Sequence, residues 1–344
     1  MARFERVNLT PEEWSKTHAS FPDAIVYQTP AWLAFLAETQ RGRPILAALK
    51  EGNQTLGYFS GLVVRQFGLK ILGSPFRGWT CPYMGFNLLP SVPRTTAIKA
   101  LGGFAFRDLG CVHFEVVDPF TRLEDVAGLG LHHEMHATYE VDLTQSEDVI
   151  FEKMNHYRRR DIRRAEKNGL SIEEAHDHEF ADEYAEQLKD VFAKQNLVPT
   201  FGVERVRALI KHMKPTGMLL MLRARDCERR CVATALFLGM NQTAFYWGGA
   251  SWRQYQSLHP NELLQWYSMR YWKGRGAKSY NLVGTMDFKA RFGGQQTAVA
   301  MISQSRNWLV SRLRASAPTA LRAALRLAWK AKVLRPRAVG TPQH

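Results

Sequence analysis

Residues 218–251 read MLLMLRARDCERRCVATALFLGMNQTAFYWGGAS. Three apolar runs, 218–224, 231–240 and 243–247, are separated by short polar stretches. Aliphatic and aromatic runs of this length between polar breaks predict three successive strands. The same grammar occurs earlier, in residues 45–76. The two segments overlay without a gap, so that Leu62-Val63-Val64 falls on Leu236-Phe237-Leu238. Few residues are identical, so the repeat is one of pattern. It predicts a chain of two related halves in the α/β class, with mixed sheets and a join around Pro119–Tyr139.

Working outward, Thr29 can cap a helix, Pro30 suits its first position, and Trp32, Leu33 and Leu36 give it an apolar face. Strands are expected at 45–49, 56–64, 69–72 and 112–117, with a helix over 94–106. In the second half helices are expected over 148–167, closed by Gly169, over 179–195, and over 203–213. A further helix spans 260–273, stopped by Gly274 and Gly276, and a strand follows at 279–283.

The chain has 344 residues, 45% of them hydrophobic and 23% charged, which suits two packed cores and not a disordered chain. The N-terminal residues resemble no secretory signal, and no apolar run approaches the ~18 residues of a spanning helix. A cytoplasmic protein, or one peripheral on the inner face of a membrane, is therefore expected. Cys81, Cys111, Cys227 and Cys231 form no C-x-x-C pair and read as reduced thiols. The net charge is +14, and nine bases with no acid lie from Arg306 onward, leaving +5 on the body. Within that tail Arg322, Arg326 and Lys330 follow one another at four-residue steps, with Leu321, Leu325 and Trp329 one residue behind. Such a basic amphipathic helix suits an anionic membrane, RNA phosphates or the protein body.

Three segments carry chemistry. Residues 157–167, YRRRDIRRAEK, place Arg160 and Arg164 on one helix face with Arg163 adjacent, and guanidinium forks suit phosphate. Residues 284–294, GTMDFKARFGG, follow a strand end, where sites sit in open sheets. There Lys289 and Arg291 stand between Phe288 and Phe292, and a lysine among aromatics can meet a developing oxyanion. Residues 248–266 join a strand to a helix start, a place for an anion, without a glycine cradle.

In order, Arg160-Asp161-Ile162-Arg163, the YWGGAS run 246–251, the PNELLQW run 260–266 and the FKARFGG run 288–294 resemble the FemAB-like aminoacyltransferases and their BioF2-like acetyltransferase relatives in the GNAT superfamily. The resemblance covers residues 25–305. It implies two tandem GNAT-like domains, a degenerate one over 1–135 and a catalytic one over 136–305, followed by the basic tail 306–344. It implies transfer of an acyl or aminoacyl group to an amine or hydroxyl of a cell-envelope or polysaccharide precursor. It places Lys289 at the reacting carbonyl beside Phe288, with Asp287 and His259 as candidates for proton handling. Substrate contacts fall to Arg160, Arg163, Arg164, Arg291, Tyr246, Asn261 and Gln265. The family's inserted helical arm and the glycine-rich pyrophosphate loop are both missing, so acyl-CoA (such as acetyl-CoA) and aminoacyl-tRNA stay open as donors. The partners implied are a phosphate-bearing precursor, tRNA, and an anionic membrane reached by the tail.

Other signals are weaker. His132-His133-Glu134-Met135-His136 lacks the histidine at 137 that a zinc helix needs, and reads as an exposed linker without metal. No G-x-S-x-G elbow supports a serine nucleophile. The rival to an enzyme is a non-catalytic basic module that binds RNA or an anionic membrane surface.

Overall fold

Thirteen strands, β1 (Arg3–Arg6), β2 (Arg43–Glu51), β3 (Gln54–Gln66), β4 (Leu69–Ser74), β5 (Gly85–Leu88), β6 (His113–Val117), β7 (His132–Asp142), β8 (Ser171–Glu174), β9 (Leu219–Arg225), β10 (Cys231–Met240), β11 (Thr243–Ser251), β12 (Ser279–Asn281) and β13 (Gln295–Ser305), join in one mixed sheet. Its helices are α1 (Pro11–Ala19), α2 (Pro30–Gln40), α3 (Arg94–Gly103), α4 (Leu123–Val126), α5 (Glu147–Lys153), α6 (His156–Lys167), α7 (Phe180–Ala193), α8 (Val203–Met213), α9 (Pro260–Gly274) and α10 (Asp287–Ala290). The structure, a computed structural model, describes residues 1–312 apart from 67, 78, 80 and 195. The expected tail helix lies outside the described residues.

The mixed α/β class follows the sequence, and so does the doubling. Strands β2, β3 and β4 form an antiparallel meander, α3 crosses over, and β6 returns parallel to β4. Strands β9, β10 and β11 do the same, with α9 as the crossover and β12 parallel to β11. In the gapless overlay the first residue of β4, Leu69, coincides with the first residue of β11, Thr243.

One strand crosses between the halves. Strand β7, at the start of the second half, pairs antiparallel with β12 of the same half. Strand β13, at the end of the second half, pairs antiparallel with β6 of the first. Strands β7 and β13 also pair with each other from Gln295 opposite Glu140 to Ser303 opposite His132. The first half therefore completes its sheet with a strand from the end of the second.

Local chemistry sets the element ends. The Thr29 hydroxyl accepts the Trp32 amide at the start of α2, and Gly169, with φ +75°, ends α6 in a left-handed turn. The helix expected over 148–167 is two helices. Met154 and Asn155 leave helical geometry, and the Asn155 carboxamide caps the second by accepting from Tyr157. The expected linker at 132–136 is the start of β7, with His132, His133 and His136 exposed on it. The strand expected to run to Val283 stops at Asn281, because Val283 turns to φ +54°.

One core cluster spans both halves. It holds Tyr27, Trp32 and Phe35 together with Met221, Leu236 and Phe245, and the Tyr27 and Phe245 rings meet at 4.8 Å. Shared strands and a shared core predict one unfolding transition for both halves. Phe245→Ala is expected to lower stability by about 3–5 kcal/mol, read as a lower midpoint in a urea titration followed by circular dichroism. Two separate transitions in the unaltered chain would contradict the shared core.

Candidate active site

The pairing of β11 with β12 covers only Thr243–Phe245 against Ser279–Asn281. Past Phe245 the register of β11 on β10 shifts, so that Tyr246 faces Phe237 and Gly248 faces Leu236, with Trp247 as the extra residue. Such a bulge bends a strand and re-aims its side chains. Where β11 and β12 part, a cavity of about 220 Å³ opens, lined by Tyr184, Tyr246, Trp247, Val283, Met286 and Lys289. Gly248 and Gly249 give it room. A Cβ on Gly248 would stand 2.6 Å from the Tyr184 hydroxyl oxygen, and one on Gly249 would stand 2.7 Å from that of Tyr246.

Lys289 is 9% exposed. Its ammonium donates to the Val283 carbonyl and lies 5.4 Å from the centre of the Tyr246 ring. Burial pulls its pKa down to about 8. Among the described residues no carboxylate makes an ion pair with it. An ammonium has three donors, so two remain for a ligand. Burial pushes the Tyr184 and Tyr246 hydroxyls far up, so both stay protonated near neutrality.

The carbonyl that holds Lys289 is itself held. A β-branched residue at positive φ costs on the order of 1–3 kcal/mol, so its surroundings must enforce it. The Asn281 side-chain oxygen accepts from the Val283 amide at 2.8 Å and from the Thr138 hydroxyl at 2.9 Å, and that hydroxyl accepts from the Gly284 amide at 3.1 Å. The Asn281 amide donates to Glu140 at 2.8 Å. Thr138 and Glu140 lie on β7, which ties this turn to β13. Val283 and Gly284 also line a second cavity, of about 230 Å³, walled by Arg77, Trp79, Tyr83, His136 and Met301.

Of the residues singled out in the sequence, Lys289 and Tyr246 share the cavity. Phe288 is not among the residues that line it, its ring stacks on Arg158 at 4.4 Å, and Asp287 is exposed. The buried Gln265 accepts from the Tyr280 hydroxyl at 2.7 Å and also bonds Tyr246. Asn261 donates to Ser251 at 3.0 Å, fastening the start of α9 to the end of β11. Arg291 is exposed, and its carbonyl accepts from the Asn155 amide at 3.0 Å. Arg160, Arg163 and Arg164 are exposed and share an open groove of about 350 Å³ with His156, Arg159 and Lys167. That groove has no lining residue in common with the Lys289 cavity. His259 stands 3.9 Å from Asp161, close to Glu262, a set of possible metal ligands. Arg160 and Arg158 already offset its two carboxylates.

The residue that sequence reasoning passed over is Arg158. It is 2% exposed, pairs with Glu262, and donates to the Phe288 carbonyl at 3.0 Å. The rings of Phe288 and Phe292 cover its guanidinium at 4.4 and 4.5 Å. It ties α6, α9 and α10 into one unit around the segment that bears Lys289. The signal was present, because Arg158, Ile162 and Ala165 lie at i, i+4 and i+7 on the buried face.

Residues 153–290 match the model of the acetyltransferase (GNAT) domain family. Residues 153–290 thus form a GNAT domain. FemX has a similar structure at 14% identity and TM-score 0.71, over 90% of this chain and 99% of FemX. A C-terminal domain from Agrobacterium fabrum, described as part of a lysylphosphatidylglycerol synthetase, matches at 15% identity and TM-score 0.56, over 91% of this chain and 98% of that one. A tandem GNAT protein from the clavulanic acid biosynthesis pathway matches at 10% identity and TM-score 0.53, over 89% of this chain and 99% of that one. No curated protein sequence matches. At these identities the likeness establishes a FemX-like GNAT fold. No helix among the described residues is long and apolar enough to cross a membrane.

Removing Arg158 from this GNAT domain leaves Glu262 without its partner and the Phe288 carbonyl without its donor. Arg158→Ala is expected to cost about 3–5 kcal/mol, measured by denaturant unfolding. Arg158→Lys, which keeps the charge and loses the fork, is expected to recover only part of that loss.

Proposed function

We propose that this GNAT-superfamily acyltransferase transfers an acyl or aminoacyl group to an amine or hydroxyl of a cell-envelope or polysaccharide precursor, with Lys289 at the reacting carbonyl. The observation that carries the reading is a buried ammonium without a carboxylate partner, facing a cavity where two strands part. The donor is an acyl-CoA or an aminoacyl-tRNA. The names of the FemX and lysylphosphatidylglycerol synthetase neighbours favour an envelope acceptor. On this reading residues 136–305 form the catalytic unit and 1–135 a degenerate partner that completes the cleft.

In the reaction the acceptor nitrogen or oxygen attacks the donor carbonyl, and its oxygen gains negative charge. The two unspent donors of Lys289 stabilise that oxygen in a partly dry site, where a fixed charge acts more strongly than in water. The intermediate collapses, the C–S or C–O bond to the donor breaks, and the leaving thiolate or alkoxide takes up a proton. Phe288 braces the lysine-bearing segment against Arg158, and the protonated Tyr246 supplies a further donor held by Gln265. Asp287 and Asn261 sit at the rim and at the helix entry, and Asp287 is the candidate to relay protons. The groove of Arg160, Arg163 and Arg164, with Arg291 nearby in sequence, is suited to the phosphates of donor or acceptor. The tail would bring the enzyme to an anionic membrane surface.

Lys289→Ala is expected to lower kcat/KM by roughly 10²–10³, the usual effect of removing one oxyanion donor, with an unchanged melting temperature. Because the folded-state pKa is depressed to about 8, the ammonium is present below that value and lost above it. The rate should therefore fall as pH rises through about 8, and Lys289→Arg should shift that fall upward. A thermal-shift comparison of acetyl-CoA with aminoacyl-tRNA identifies the donor. Full activity of Lys289→Ala would end the assignment.

A further inference from the structure

A chamber of about 940 Å³ lies in the first half, between β1, the start of β2, β4 and α3. Six cations line it, Arg3 and Arg6 from β1, Arg43 from β2, Lys70 from β4, Lys99 from α3 and Arg107 from the turn that follows α3. Only two carboxylates, Glu5 and Asp108, share the lining. Glu5 is already engaged by Arg3 and Lys50. Among the described residues no carboxylate forms an ion pair with Arg6, Arg43, Lys70, Lys99 or Arg107. The first three elements meet there through the sheet, and α3 packs against β1.

Three features separate this chamber from an ordinary solvated face. Its cations come from four stretches separate in sequence, β1, β2, β4 and the helical stretch 94–108, so no local charge run explains them. The helix after Gly103 widens into a π turn over Phe104–Asp108, a geometry found often at functional sites, and this turn carries Arg107. Gly103 leaves room for that guanidinium, since a Cβ there would stand 2.7 Å from its Nη2. Lys70 spends one donor on the Leu109 carbonyl at 3.4 Å and keeps two. Phe4 and Phe104 give the chamber an apolar floor. Like charges gathered this way repel one another, and a ligand that neutralises several of them removes that cost.

We propose that this chamber binds a small phosphate-bearing ligand, at a site separate from that of Lys289. Forked guanidinium groups and ammoniums over an apolar floor fit a phosphoryl or pyrophosphoryl group attached to an apolar or ring-bearing body. The proposal stands independently of the acyl-transfer reading, because the two cavities share no residue.

The test uses the full chain. Inorganic pyrophosphate is titrated calorimetrically at low salt, and vesicles of phosphatidylglycerol and phosphatidylcholine are tested by co-sedimentation. Arg43→Ala/Arg107→Ala, two exposed positions, is expected to weaken binding at least tenfold with an unchanged melting temperature. Gly103→Ala, which displaces the Arg107 guanidinium without removing charge, is expected to weaken it less. The binding step that the Arg43→Ala/Arg107→Ala variant loses is expected to persist in Arg160→Ala/Arg164→Ala, which removes only what the α6 groove contributes. Saturable pyrophosphate binding lost in the chamber variant supports a soluble phosphorylated ligand. Vesicle binding alone, lost in the same variant, supports a lipid headgroup. The proposal is overturned if neither probe binds, if the chamber variant binds unchanged, or if only the α6 pair loses binding.

Discussion

A guanidinium buried among two rings, a carboxylate and a carbonyl is the contact on which the second half is built. Arg158 joins α6 to α9 through Glu262 and to α10 through the Phe288 carbonyl. Taking a charge out of water costs several kcal/mol, and only a partner together with further donor–acceptor contacts offsets it. Here the partner is Glu262, and Phe288 and Phe292 add two ring faces. An apolar residue of the same volume would pack as well. It would not fix the rotation of the 287–292 segment, because a carbonyl bond and two ring planes define an orientation that dispersion alone does not. The position of Lys289, three residues after Met286 at the cavity lip, follows from that orientation.

The fold was legible where the pattern is local. Alternating and continuous apolar runs gave the two meanders, and Thr29, Pro30, Gly169 and Pro260 marked helix ends. What stayed hidden depends on partners far away in sequence. Strand β7 begins with three exposed histidines, and nothing in HHEMH says strand until β13 lies beside it. Strands β1, β5 and β8 have four residues each, too short for a periodic signal. The site divides the same way. The lysine among aromatics could be picked from its neighbours, and Tyr246 from its strand end. The bulge at Trp247 could not, because a bulge is a property of two strands. Nor could composition sort the arginines of 158–164: charge count treats Arg158 and Arg160 alike, and only the face of Ile162 and Ala165 separates the buried clamp from the exposed groove.

The crossing of β13 links the turn at Val283 to the first half. The turn that presents the Val283 carbonyl to Lys289 is bonded to Thr138 and, through Asn281, to Glu140, both on β7. Strand β7 in turn is held on β13, which completes the first half's sheet at β6. A relative shift of the halves would therefore reach the lysine through three hydrogen-bonded strands. The strained φ at Val283 makes that link stiff: a residue forced out of its preferred region relaxes as soon as its supports move.

Charge placement then separates the tasks of the molecule. The net +14 is not spread evenly. Arg158 and Lys289 are both buried cations, and they differ in their partners. Arg158 has a carboxylate, and among the described residues Lys289 has none. A guanidinium stays charged without help, so its partner serves geometry. An ammonium denied a partner has its pKa lowered by burial toward the working range, which makes it responsive to charge that appears only during reaction. Arg223 is buried as deeply as Arg158 and is held by Glu173, Asp177 and Glu183, whereas the arginines of the α6 groove lie nearer the surface. Pairing Lys289 with a carboxylate would raise its pKa again and occupy the donors that the cavity leaves open. Among the described residues, the lack of such a partner is what sets Lys289 apart from the paired guanidinium of Arg158.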